Sequence, residues 1–350
     1  MSAHTAEKLA YMANQIARNL VHDDKPVAAV ADHIVSFWTP RMIDTLIAQG
    51  SAGLDPVAAE AMARVADGAF RPRRPAQPIR RSMAPMPVDG TRAFPFREEF
   101  ADGRVSRALD RPLIEEAPVA LEINGVGYAV MMATPVDLED YALGFCLSEQ
   151  LIASPHEFVS AQAAPVDAGG GAGGWMLRVQ LGAEGAAPLL ERARLRLAEG
   201  SCGLCGIESL EQVMRPLQPV TARVRIGADA IFSAAAQMRD QQVMGRATGA
   251  AHAAALCDPT GKIRLVREDV GRHNAFDKLI GAAAREGLAM ADHFVLLTAR
   301  CSFELVQKAV IAEVPVLATI SAASTLACEQ AASHGLKLVS LVRQDSLLEL

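Results

Sequence analysis

The sequence predicts an α/β protein preceded by a small all-α module. Three observations carry that prediction. Residues 1–68 repeat their apolar positions at three- and four-residue steps. A run rich in proline and arginine follows at 69–92. The C-terminal third alternates short apolar strands with amphipathic helices, the pattern of a sheet covered by helices and at least partly parallel.

In the first module, Leu9, Met12, Ile16 and Leu20 mark one helical face. Pro26 opens a second helix carrying Val30, Ile34 and Phe37, and Pro40 and Pro56 open two more, because proline suits the first helical position. A module of this length buries a marginal core. Phe37 and Trp38 are read as that core, with docking onto a partner as the competing reading. The segment FRPRRPAQPIRRSMAPMPVDG reads as an extended, semi-rigid linker whose arginines are solvated.

A larger unit is expected over 93–350. Two β-prone runs, VALEI and VGYAVMM, are joined by Asn124-Gly125, a dipeptide that tolerates positive φ and so favours a hairpin. Asp137 reads as the cap of a helix through Leu151. The glycine-rich run at 168–174 lacks the Gly-Lys-Ser/Thr of a phosphate loop and reads as a turn before a strand at Trp175–Leu181. Strands at 253–256 and 263–266 flank the turn Asp258-Pro259-Thr260-Gly261. A helix over about 273–286 precedes the alternating strands and helices, with Gly335 as a C-cap. The loops Thr298–Ser302 and Ser321–Ser324 then fall between strand ends and helix starts, where free N–H groups favour an anion. Ser302 and Ser324 serve equally as N-caps.

Bulk composition narrows the function. The 350 residues are 51% apolar and 21% charged, with net charge -6, so there is no basic footprint for nucleic acid. No apolar stretch reaches the length of a membrane span, and the N-terminus lacks a secretory pattern, so a cytoplasmic protein is expected. In that compartment the six cysteines are thiols by default.

Chemistry concentrates in two segments. In GSCGLCG, Cys202 and Cys205 supply only two of a zinc site's four ligands, and no His-x-Glu lies upstream, so no bound zinc is expected. Gly200, Gly203 and Gly206 favour a moving thiol, and a helix after the pair would lower its pKa. A thioredoxin-type exchange remains open. In REDVGRHNAFDK, Arg272 and Lys278 are suited to a phosphate, Asp269 or Asp277 to a purine's donors, and Asn274 to a base edge, with Gly271 permitting close approach. A helix start crowded with solvated charges is the alternative.

These segments, with TGAAHAAAL at 248–256, ARCSFELVQKA at 299–309 and VPVLATISAASTLA at 314–327, resemble the formate dehydrogenase accessory sulfurtransferase (FdhD) family over residues 90–350. The resemblance implies a cytidine-deaminase-like fold with an added β-rich subdomain. It implies a persulfide relay in which a cysteine desulfurase loads Cys202, with Cys205 its partner. The sulfur then passes to the molybdenum or tungsten of bis-molybdopterin guanine dinucleotide, the cargo bound for the formate dehydrogenase catalytic subunit. The contacts that the resemblance implies to that cargo, with its GDP-like ends, are Leu341, Val342, Arg343, Gln344, Asp345 and Ser346; the further candidate cofactor-binding residues are His252, Asp269, Arg272, His273, Asn274, Asp277, Lys278 and Ser302. The family's aromatic before Val342 is Leu341 here, and its basic, aromatic tail is replaced by LLEL. A homodimer is also implied. Residues 12–20, 33–42 and 51–62 are similar to the delta subunit of NAD-dependent formate dehydrogenases, so both parts point to one enzyme. A cofactor-binding chaperone without sulfur chemistry and a thiol–disulfide oxidoreductase are the competing functions.

Overall fold

The computed structural model describes residues 3–20, 25–38, 40–67, 88–101, 106–167, 173–182 and 217–350. The chain divides into two compact units, Met1–Pro85 and Met86–Leu350.

The first unit holds four helices, α1 (Ala3–Asn19), α2 (Pro26–Phe37), α3 (Pro40–Gln49) and α4 (Pro56–Ala66). Leu9, Ala13, Ile34, Trp38, Leu46 and Met62 form its buried centre, so Trp38 belongs to the module's own core. Asn14 clamps the turn before α4: its Nδ2 donates to the Gly53 carbonyl and its Oδ1 accepts from Asp55 N–H, both at 2.8 Å. Gly53 has φ +79°, a conformation that costs other residues strain.

The second unit opens with an antiparallel ribbon of β1 (Thr91–Glu98) and β2 (Arg107–Ile114). Its first strand starts inside the segment expected to be linker. A four-stranded sheet follows, in the order β4-β3-β6-β5, from β3 (Ala117–Ile123), β4 (Val126–Ala133), β5 (Phe158–Asp167) and β6 (Gly173–Leu181). The hairpin turns where expected, with Asn124 at φ 49° and Gly125 at φ 80°. Helix α5 (Leu138–Ser148) covers one face, burying Val119, Leu121, Leu177 and Val179. Asp137 does precede α5, but it sits in the left-handed region and its side chain caps no N–H. Its carboxylate lies instead 3.7 Å from Arg267.

The remaining elements are α6 (Ala228–Gln241), α7 (Val243–Thr248), β7 (His252–Cys257), β8 (Ile263–Asp269), α8 (Arg272–Arg285), β9 (Phe294–Leu297), α9 (Phe303–Ile311), β10 (Val316–Thr319), α10 (Thr325–Ser333), β11 (Lys337–Ser340) and β12 (Leu348–Glu349). They build a six-stranded sheet ordered β12-β11-β10-β9-β7-β8. Strands β9, β10 and β11 are parallel, and β7, β8 and β12 run against their neighbours. Residues alternate between its faces. Ala254, Leu256, Leu297 and Leu317 meet α8, α9 and α10, whereas Ala255, Leu296 and Ala318 share a cluster with Ile231 and Ala234 of α6. Both faces are covered, which accounts for the continuously apolar strands.

Helices α5 and α8 join the two larger sheets by touching backbone to backbone. A Cβ added at Gly144 would lie 1.7 Å from the Asp277 carbonyl oxygen, and one at Gly281 would lie 1.9 Å from that of Asp140. Only glycine allows this approach.

Candidate functional site

The parallel strands all end at one edge of the six-stranded sheet, and the loops leaving them are bonded to one another. Cys301 N–H donates to the Ala322 carbonyl at 3.1 Å, and Ser324 N–H donates back to the Cys301 carbonyl at 3.1 Å. Ser321 Oγ donates to the Thr298 carbonyl at 3.3 Å. The segment after β11 joins them: Leu341 N–H donates to the Ser321 carbonyl at 3.3 Å, and Val342 N–H to that of Thr319 at 3.1 Å. Leu341 has φ 52°, and the Arg343 guanidinium donates to the Ile320 carbonyl. Gln344, Asp345 and Ser346 remain exposed. The edge therefore gathers the loops 298–302 and 320–324 with the segment 341–346. His252 begins β7 at the same end, because the register sets Ala254 opposite Leu297.

The polar start of α8 serves two different purposes. Asp269 is fully buried and accepts four hydrogen bonds: from Thr134 N–H at 3.0 Å, Gly271 N–H at 2.7 Å, Asn274 Nδ2 at 3.0 Å and Lys278 Nζ at 2.7 Å. Lys278 and Asn274 also donate to the carbonyls of Thr134 and Met132, at 2.9 and 2.8 Å. Asp277 is bound by Lys308 at 2.8 Å and by the Ser148 hydroxyl at 2.7 Å. Burial alone would lower the Lys308 pKa, but the carboxylates of Asp277 and Glu149 outweigh it and the net direction is up. Asp269, Asn274, Asp277 and Lys278, expected to meet a nucleotide, thus spend their side chains on tying α8 to β4, α5 and α9. Removing one partner from such a pair leaves an uncompensated buried charge.

His252, Arg272, His273 and Ser302 are different. His252 and Arg272 are half-buried, and desolvation together with the nearby Arg272 cation lowers the His252 pKa. His273 is 8% exposed and its Nε2 has no hydrogen-bond partner among the described residues. Burial, then the positive charges of Arg272 and Lys308, push its pKa down to about 3. Ser302 precedes α9 without capping it through its side chain, and among the described residues its buried Oγ also lacks a partner. Ser324 does cap α10, accepting from Ala327 N–H at 3.3 Å. Arg300, exposed beside Ser302 and electrostatically coupled to His252, is a cation that sequence reasoning passed over.

The His273 shift fixes a sign for stability. The unfolded imidazole takes up a proton near pH 6.5 and the folded one only near 3, so stability from this residue is present above 6.5 and lost as pH falls through that window. His252 acts in the same direction. Between pH 7 and pH 5 the wild type should therefore lose about 2 kcal/mol more than His273→Gln. Urea unfolding at the two pH values measures this, and equal losses would contradict a buried neutral imidazole.

Cys202 and Cys205 lie outside the described residues. Of the others, Cys146, Cys257 and Cys301 are buried, and desolvation, the largest cause for each, pushes their thiols up to about 12. Such thiols are poor nucleophiles near neutrality. Cys328 is partly exposed. Among the described residues no group of three or more His, Cys, Asp or Glu could hold a metal ion. No helix among them is long and apolar enough to cross a membrane.

Residues 114–348 match the model of the FdhD/NarQ family, and residues 8–62 match that of the NADH-dependent formate dehydrogenase delta subunit FdsD. A sulfur carrier protein FdhD from Variovorax paradoxus is 41% identical over 263 residues, covering 75% of this chain and 89% of that protein. One from Xanthomonas campestris is 44% identical over 241 residues, covering 69% and 84%. A crystal structure from Desulfotalea psychrophila, described as a candidate formate dehydrogenase accessory protein, shares the fold with a TM-score of 0.58. It is 20% identical and covers 74% of this chain and 96% of that one.

Proposed function

The chain belongs to the FdhD/NarQ family, and from that premise we propose that it is a sulfurtransferase working through a persulfide on Cys202. It is a sulfur carrier in formate dehydrogenase maturation. The observation that carries the persulfide reading is the contrast among its thiols. Burial has withdrawn Cys146, Cys257 and Cys301 from thiolate chemistry, whereas Cys202 and Cys205 stand among glycines.

In the loading step, the Cys202 thiolate attacks the terminal sulfur of a cysteine desulfurase persulfide. A new S–S bond forms, the old one breaks, and the desulfurase thiolate leaves. In the delivery step, the Cys205 thiolate attacks Cys202 Sγ and the two cysteines close as a disulfide. Sulfur leaves as hydrosulfide for the cargo's metal, and a thiol reductant reopens the pair.

The cargo is bis-molybdopterin guanine dinucleotide. Its phosphates lie at the sheet edge, against Arg272, Arg300, Ser302 and the main-chain N–H groups that start α9 and α10. The exposed residues Gln344, Asp345 and Ser346 border the same edge, and Arg343 braces it. Asp269, Asn274, Asp277 and Lys278 support that surface from beneath. The FdsD-like unit, by its likeness to a formate dehydrogenase subunit, binds the client enzyme and raises the effective concentration of the sulfur donor. The protein acts in the cytoplasm as a homodimer.

Incubating the full chain with a cysteine desulfurase and cysteine should add one sulfur atom to the peptide containing Cys202. Intact-protein and peptide mass measurements read this directly. No added sulfur under conditions that discharge the desulfurase would overturn the persulfide.

A further inference from the structure

Helices α8 and α9 start at the strand-end edge, and at their other ends lies a cavity of about 670 Å³. Leu147, Leu151, Ile152, Ile280, Leu288 and Met290 give it an apolar lining. Three helices end around it, and all three end in the same way. Past each last turn one residue takes the left-handed conformation: Gln150 (φ 55°) after α5, Gly287 (φ 67°) after α8 and Glu313 (φ 57°) after α9. The following N–H then folds back onto a carbonyl of the last turns, from Leu151 to Cys146 and from Leu288 to Ala283 at 2.8 Å, and from Val314 to Ala309 at 3.0 Å. Three negative dipole ends therefore converge on one apolar cavity.

Glu157 and Glu313 line it as well, each pinned by one carboxylate oxygen. Glu157 Oε1 accepts from Ala153 and Ser154 N–H at 2.9 and 2.8 Å, and Glu313 Oε2 from the Thr221 N–H and hydroxyl at 2.9 and 3.0 Å. No lysine, arginine or histidine is among the described lining residues. An occupant complementary to this cavity is apolar and carries a positive charge.

The surrounding chain connects the cavity to the sulfur chemistry. Gly182 N–H donates to the Glu157 carbonyl at 2.8 Å, so the chain leaving β6 is fixed beside the cavity. Leu217, the next described residue, shares a packed cluster with Ile280 and Met290, and Thr221 is held by Glu313. Cys202 and Cys205 lie between Gly182 and Leu217 in sequence. Both described ends of the stretch that carries them thus stand at the cavity.

Building on the sulfurtransferase reading above, we propose that this cavity is the docking site of the cysteine desulfurase, which seats there a segment with a lysine or arginine among aliphatic side chains. The aliphatic groups fill the apolar lining, and the cation meets the helix ends and the two carboxylates. Ala153 and Ala289, small and exposed, let the partner's main chain come close. Sulfur donor and cargo then bind at opposite ends of α8 and α9 and do not compete.

Sulfur loading of the full chain, followed by mass as the desulfurase concentration is varied, tests the assignment. Ala289→Trp obstructs the cavity from an exposed position and should raise the desulfurase concentration for half-maximal loading about 10-fold. Glu157→Gln combined with Glu313→Gln keeps the oxygens that accept from the main chain. It should raise that concentration about threefold to tenfold and flatten its dependence on salt. Inorganic polysulfide, which needs no docking, should load Cys202 equally in all of these proteins, showing that fold and thiol are intact. A wild-type half-maximal concentration in Ala289→Trp would overturn the docking site alone. A wild type that takes sulfur from polysulfide but not from the desulfurase would instead overturn the sulfurtransferase reading on which the site rests.

Discussion

Cys202→Ser should abolish maturation. Formate dehydrogenase produced with this variant should show at least about a 100-fold loss of specific activity, because a hydroxyl does not form a persulfide and its pKa denies it thiolate-like reactivity. The client should still contain its pterin cofactor, and what it should lack is the sulfido ligand, which sulfide analysis of the purified enzyme reads. Cys205→Ser should still accept sulfur from the desulfurase but deliver it slowly, so that persulfide accumulates. The comparison separates three functions. A chaperone without sulfur chemistry would mature active enzyme with either variant. A thiol–disulfide oxidoreductase would lose activity equally with both and would turn over generic disulfides. Full activity with Cys202→Ser removes the sulfurtransferase reading.

The second large effect concerns the fold. Gly144→Ala and Gly281→Ala should each destabilise the second unit by more than about 3 kcal/mol. On an isolated helix, glycine to alanine would stabilise by about 1 kcal/mol. Here the added methyl lands 1.7 Å from the Asp277 carbonyl oxygen at one position and 1.9 Å from that of Asp140 at the other. Backbone does not yield as a side chain does, so α5 and α8 must separate. Separation also breaks the Ser148–Asp277–Lys308 cluster, which spans both helices and α9. Denaturant unfolding measures the loss, and a midpoint within error of the wild type would show that α5 and α8 are not held in backbone contact.

Much of this architecture was legible because it depends on local pattern. The Asn124-Gly125 hairpin, the proline-led helices of the first unit, and the alternation from β9 to β11 all declare themselves within a few residues. The β1–β2 ribbon did not. Phe94, Pro95 and Phe96 are followed by charged residues with no buried face, so no period of two emerges, and most of the ribbon is exposed. The start of α8 was legible as an unusual density of polar groups but not as two populations. What separates them is distance in sequence. Thr134 lies 135 residues from Asp269, and Ser148 lies 129 residues from Asp277. Lys308 reads as one more solvated helix charge until α5 and α8 close over it. Arg300 was passed over for a different reason: it looks like one more solvated charge in a loop before a helix-starting serine.

The strand-end loops are bonded to one another by main-chain hydrogen bonds. That interlock has a kinetic meaning. A surface whose loops already hold one another has little conformational entropy left to lose when a ligand arrives. Under the proposed function, a cargo meeting this edge would be limited by encounter rather than by a preceding closure, and differences among ligands would appear in how long each stays rather than in how fast it lands.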